Sequence, residues 1–115
     1  MKSYNKIKGI KKMASNNSYD VAFKLCHTLR LYKRKICLCD DVILYPSAWT
    51  DNFFEIMFRD KNNYNDSNCR IYTDQIQSLI DIYLDKRWGL CEIESGGEQF
   101  TTTPYILKFK YLGEE

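Results

Sequence analysis

Residues 19–32 read YDVAFKLCHTLRLY, and the period assigned to them decides the fold. Val21, Phe23, Leu25, His27, Leu29 and Leu31 recur at every second position, with Ala22, Lys24, Cys26, Thr28, Arg30 and Tyr32 between them. Successive side chains of a strand point to opposite faces, so this alternation predicts a long half-buried β-strand. His27 then falls in an apolar row and is expected to be a hydrogen-bonded core residue. Cys26 falls on the other face, which excludes a local Cys-His nucleophilic pair.

Working outward from that stretch, Lys33-Arg34-Lys35 is a polar break. ICLCDDVILYP (36–46) resumes an alternation and is expected to form a second strand paired with the first. Asp40-Asp41 marks a bulge or turn in it, and Pro46 ends it. NFFEIMFRD (52–60) puts Phe54, Ile56 and Phe58 on one face and Phe53, Glu55, Met57 and Arg59 on the other, as a third strand would. KNNYNDSN (61–68) is a loop by composition, and CRIY (69–72) is a short fourth strand.

From Asp74 to Arg87 the period changes. Ile76, Leu79, Ile80, Tyr83 and Leu84 follow the i, i+3, i+4, i+7, i+8 stripe of an amphipathic helix. Thr73 suits the N-cap, Asp74 the first turn, Lys86 and Arg87 the last, and Gly89 the stop. LCEIES (90–95), the turn Ser95-Gly96-Gly97-Glu98 and FTTTPYILKFKYL (100–112) then read as a β-hairpin. The expected class is α+β: a mainly antiparallel five- or six-stranded sheet with one amphipathic helix, about residues 74–87, packed on one face.

Length and charge bound the function. The chain has 115 residues, enough for one domain, and 44% apolar with 15% aromatic content supports a real core. It carries 17 basic and 15 acidic residues, net +2. Residues 1–12 hold five of those lysines and no acid, which leaves 12 against 15, net −3, for residues 13–115. The organisation is therefore a basic leader (1–12) and a single domain (13–115). The leader reads either as a flexible basic tail or as a stretch upstream of a true start at Met13. Abundant Asn, Lys, Ile and Tyr point to AT-rich coding, and Lys8-Gly9 back-translates to a purine-rich stretch of the ribosome-binding kind.

No apolar run approaches the roughly 20 residues of a membrane helix, and no apolar stretch follows the basic N-terminus as in a secretory signal. Five cysteines, an odd number without disulfide-framework spacing, fit a reducing cytoplasm. No membrane partner and no cofactor are expected.

The motifs of chemistry are weak. Cys37-x-Cys39, with Cys26 nearby, lacks the two-to-four-residue knuckle spacing of structural zinc, so no metal site is assigned. Asp40-Asp41 and Asp51/Glu55 lack the acid-x-Lys doublet of a nuclease core, and no phosphate-binding glycine motif or nucleophile elbow occurs. No catalytic residue is assigned, and a metal-dependent hydrolase ranks third among the readings.

A non-enzymatic protein-binding role ranks first. One helix would cover one face of the sheet and leave Tyr32, Phe53 and Met57 outward as a contact surface for a host protein or complex, or for a second copy in a homodimer. Asp60, Asp66, Glu92, Glu94 and Glu98 would imitate phosphates toward a nucleic-acid-binding partner. Together with AT-rich coding, this suits a phage or mobile-element protein that inhibits a larger host machine by occlusion. The runner-up is RNA or single-stranded DNA binding by the basic hairpin around residues 30–35. There Lys24, Arg30, Lys33, Arg34 and Lys35 would meet phosphates and Tyr32 a base.

Overall fold

The stretch that alternates so cleanly is a helix. In the computed structural model, which describes residues 17–38, 42–60, 70–95 and 105–113, α1 runs Ser18–Leu31. Ser18, Ala22, Leu25, Cys26 and Leu29 are its buried residues, a stripe at helical spacing hidden inside the period-two pattern. Asn17 caps it: its side-chain oxygen accepts from the Tyr19 and Asp20 amides at 2.8 and 3.2 Å. Asp20 in the first turn and Arg30 in the last suit the helix dipole. The expected strand over 21–32 is therefore corrected. The helical choice seats Ala22, Leu25, Cys26 and Leu29 in the core and turns Phe23, His27 and Leu31 outward. His27, expected in the core, is exposed.

The basic break is also helical. α2 spans Lys33–Ile36, a single turn fixed by fully buried Ile36. Cys37 forms an isolated antiparallel bridge with Ile71, and among the described residues this bridge stands where a fourth strand was expected in CRIY. The second strand begins later than expected: β1 spans Val42–Thr50. It continues through Pro46, whose missing N–H is tolerated because β1 lies at the sheet edge. The expected irregularity at Asp40-Asp41 lies outside the described residues.

β2 spans Phe53–Asp60, α3 Thr73–Tyr83, β3 Trp88–Ser95 and β4 Tyr105–Tyr111. Thr73 opens α3 rather than capping it, and no side chain caps that end. Lys86, Arg87 and Gly89 fall beyond the helix. Asp85 to Trp88 is a turn closed by the Trp88 amide on the Asp85 carbonyl at 3.0 Å, and Gly89 is within β3.

The four strands pair antiparallel throughout in the order β1-β2-β4-β3. The chain is α+β as expected. Among the described residues, however, the sheet has four strands rather than five or six, and three helices rather than one. Both differences come mainly from residues 18–36, helical where strands were expected.

One core joins the layers. Val42 and Leu44 of β1, Phe54, Ile56 and Phe58 of β2, Leu107 and Phe109 of β4 and Trp88 of β3 meet α1, Ile36 of α2 and Ile76, Leu79 and Ile80 of α3. Phe54 is fully buried between Phe109, whose ring centroid is 4.6 Å away in a stacked pair, and Trp88 at 5.1 Å. A bulge between Leu90 and Glu92 leaves Cys91 as the extra residue of β3. Among the described residues no helix is long and apolar enough to cross a membrane.

Candidate functional site

Alternation along each strand places every helix contact on one face and leaves the other uncovered by any described helix. Register then reads out the open face. Tyr45 of β1 stands opposite Met57 of β2, Met57 opposite Ile106 of β4, and Ile106 opposite Glu94 of β3. The neighbouring row runs Ser47, Glu55, Lys108, Glu92. Beyond it, Phe53 stands opposite Lys110. Tyr45 is exposed, Phe53, Met57 and Ile106 are half-buried, and Trp49, near the end of β1, is 82% exposed.

Charge is distributed unevenly across this face. Lys108 forms a salt bridge to Glu94 at 2.5 Å and a longer one to Glu92 at 4.0 Å. The hydrogen bond to Glu94 raises the Lys108 pKa above the ordinary lysine value; desolvation opposes it, and attraction to Glu94, Glu92 and Glu55 adds to the rise. Three carboxylates thus surround one ammonium on the β4–β3 half. On the β1–β2 half the Arg59 guanidinium lies over the Tyr45 ring, 6.0 Å from its centroid. The face carries an apolar row, Tyr45, Met57 and Ile106, separated from Phe53 by the charged row through Glu55 and Lys108, with the exposed Trp49 at the irregular end of β1.

Of the residues expected to make a protein-binding surface, Phe53, Met57, Glu92 and Glu94 come together here. Asp60 ends β2, backbone-paired with Val42. Asp66 and Glu98 lie outside the described residues. Tyr32 belongs elsewhere. It ends α1 on the helical side, where its hydroxyl shares a 3.0 Å hydrogen bond with that of Tyr83 and Lys35 Nζ lies 5.9 Å from its ring centroid. Cys26 and Thr28, which share the row of Tyr32 in the expected strand, are placed elsewhere too. Cys26 is in the core and Thr28 Oγ1 donates to the Lys24 carbonyl within α1, as their helical placement requires. Tyr45, which sequence reasoning did not assign to a surface, carried a signal: it alternates with Val42 and Leu44, the apolar residues of β1 that are buried.

The alternative basic set is split between two helices and is not a hairpin. Lys24 and Arg30 lie on α1, Lys33, Arg34 and Lys35 on α2. Arg30 donates from Nε and Nη2 to the Leu44 carbonyl, at 3.0 and 2.6 Å. Cys26 and Cys37 are buried, and burial pushes the Cys26 thiol above its ordinary pKa, partly opposed by Arg30. Such a thiol is a poor nucleophile and a poor metal ligand. Among the described residues no three or more His, Cys, Asp or Glu side chains gather as a metal site would need.

Comparison with protein-family models, with curated proteins and with solved structures finds no match to this chain.

Proposed function

We propose that this chain is a non-enzymatic binding protein whose open sheet face docks on a protein partner. The supporting observation is the row Tyr45–Met57–Ile106, in register across three strands, with Phe53 on the same face beyond the charged row and the 82% exposed Trp49 near the end of β1. Aromatic and methionine side chains on such a face supply large contact area, and Trp and Tyr are the residue types that carry most interface energy. The surplus of carboxylate around Lys108 supports a partner with cationic groups along one margin. Occlusion of a larger host assembly, in the manner of a phage- or mobile-element-encoded inhibitor, is the form of this role that the AT-rich residue usage supports.

The test pairs capture with variants of the face. Tagged protein in a nuclease-treated host lysate is expected to retain a stoichiometric protein, and Met57→Lys or Trp49→Ser to lose it while keeping the wild-type melting temperature. Loss on Trp49→Ser corresponds to at least about 2 kcal/mol, the scale of an interface hot spot. Capture indifferent to both variants rejects the face as the docking surface. Sedimentation of the purified protein tests the competing occupant: a dimer that Met57→Lys dissociates makes the partner a second copy.

A further inference from the structure

α1 packs across β1 and β2, and between α3 and β3 the two layers leave a cleft of about 260 Å³ on the helical side. Its walls are apolar. Ile80 and Leu84 line it from α3 and its end, Trp88 and Leu90 from β3, and Gly89 adds no side chain between those two. Two opposite charges line it as well: Asp81 on α3 and Lys86 in the turn that follows. Each keeps bonding capacity. Asp81 Oδ1 accepts from Gln77 Nε2 at 2.9 Å, which leaves Oδ2. Lys86 Nζ donates to the Asp81 carbonyl at 2.8 Å, which leaves two of the three N–H groups of an ammonium. Because Lys86 is anchored on the backbone of Asp81, the two charges are presented close together.

A second observation lies in the wall. Trp88 is 3% exposed, and its indole N–H is buried with no hydrogen-bond acceptor, alone in this among the described side chains. Buried polar groups almost always find partners, and a buried indole N–H usually has one. The nitrogen is screened from solvent, and the cleft is an open space bordering its ring. We propose that the cleft binds a small zwitterion with an apolar tail, a free aliphatic α-amino acid of the size of leucine. Its ammonium group meets the Asp81 carboxylate. Its carboxylate meets Lys86 and accepts from the Trp88 N–H, and its hydrocarbon tail packs on Ile80, Leu84 and Leu90. One charge of each sign disfavours a simple anion or cation, which would meet a like charge. An uncharged hydrocarbon would leave the indole N–H unpaired. The volume falls below the roughly 300–1,000 Å³ of pockets for drug-sized ligands, which disfavours a nucleotide.

Heteronuclear NMR of the isotope-labelled full chain, titrated with free leucine, tests this site. The sequence holds two tryptophans, so two indole N–H signals are read, and Trp49→Phe assigns them. A ligand this small is expected to bind with a Kd on the order of 1 mM. Leucine should move the Trp88 signal downfield to saturation and leave the Trp49 signal in place. Asp81→Asn keeps the acceptor for Gln77 and removes the charge, and Lys86→Gln removes the other. Each is expected to weaken binding about threefold to fivefold, the scale of a partly exposed ion pair. N-acetylleucine and leucinamide, which each lack one of the two charges, should bind more weakly by a similar factor of about three to five.

A Trp88 signal that leucine leaves in place overturns the site. Equal affinity for N-acetylleucine and leucinamide overturns the zwitterion, and wild-type affinity in both charge variants overturns Asp81 and Lys86 as its anchors. A Trp88 N–H already at a hydrogen-bonded shift before titration means that a trapped water satisfies the donor, and rejects the ligand's oxygen as its partner. The cleft lies on the helical side, so none of these outcomes bears on the sheet face.

Discussion

Lys108 shows how much a single residue organises. It sits between Glu55 and Glu92 in one cross-strand row and bridges to Glu94 in the next. Because the folded state raises its pKa, the Lys108 contribution to stability is complete below the ordinary lysine value of 10.5 and fades as pH climbs through the raised one. Asp85 has the opposite sign. Its carboxylate accepts from Arg87 Nε at 3.0 Å and from the Arg87 amide at 2.9 Å, and the side-chain bond chiefly lowers its pKa. Its contribution is present above the ordinary aspartate value of 3.8 and is lost as pH falls through the depressed one. Urea midpoints measured against pH should therefore show a shallower alkaline decline in Lys108→Gln and a shallower acid decline in Asp85→Asn. For this partly exposed Asp85 pair the effect is expected to stay below about 1 kcal/mol.

At the scale of elements, legibility followed the uniqueness of the period. α3 was readable because Ile76, Leu79 and Ile80 fit a helix and no alternation competes with them. β2 and the β3–β4 hairpin were readable because Phe54, Ile56 and Phe58, and Leu107 with Phe109, alternate without a helical rival. Residues 19–32 fit both templates, and their apolar content exceeds what one face can bury. The deciding signal was local: Asn17 before Ser18, with Asp20 following, is an N-cap followed by a first-turn acid. Asn17→Ala removes the oxygen that accepts from the Tyr19 and Asp20 amides, and is expected to cost about 1 kcal/mol by chemical denaturation. A strand over these residues would give Asn17 no such role, so an unchanged midpoint would contradict the capped helix. The Pro46 expectation failed for a related reason: proline forbids a central strand, and an edge strand accommodates it.

The described residues form a two-layer arrangement with their helices on one side, and this asymmetry was legible in principle though not in detail. One uncovered face followed from an α+β composition. Which residues lie on it depends on register: Phe53 and Met57 fall on the uncovered face, and Tyr32 on the helical side. The two tryptophans report on the layers separately. Trp49 is 82% exposed and Trp88 3% exposed. Iodide is expected to quench Trp49 efficiently and Trp88 scarcely, so Trp49→Phe should remove most of the quenchable emission and shift the remainder to the blue. Equal quenching of both would mean that the outer surface of β1 is sheltered.

The sheet's two rims have one further consequence. β1 brings Pro46 to one rim, and the kink at Cys91 interrupts the other. Unpaired strand margins are the usual templates for growth by hydrogen bonding into fibrils, and a proline and a bulge both spoil the template. At high concentration this protein should resist ribbon-like extension, and any assembly it joins is left to side-chain surfaces rather than to its peptide groups.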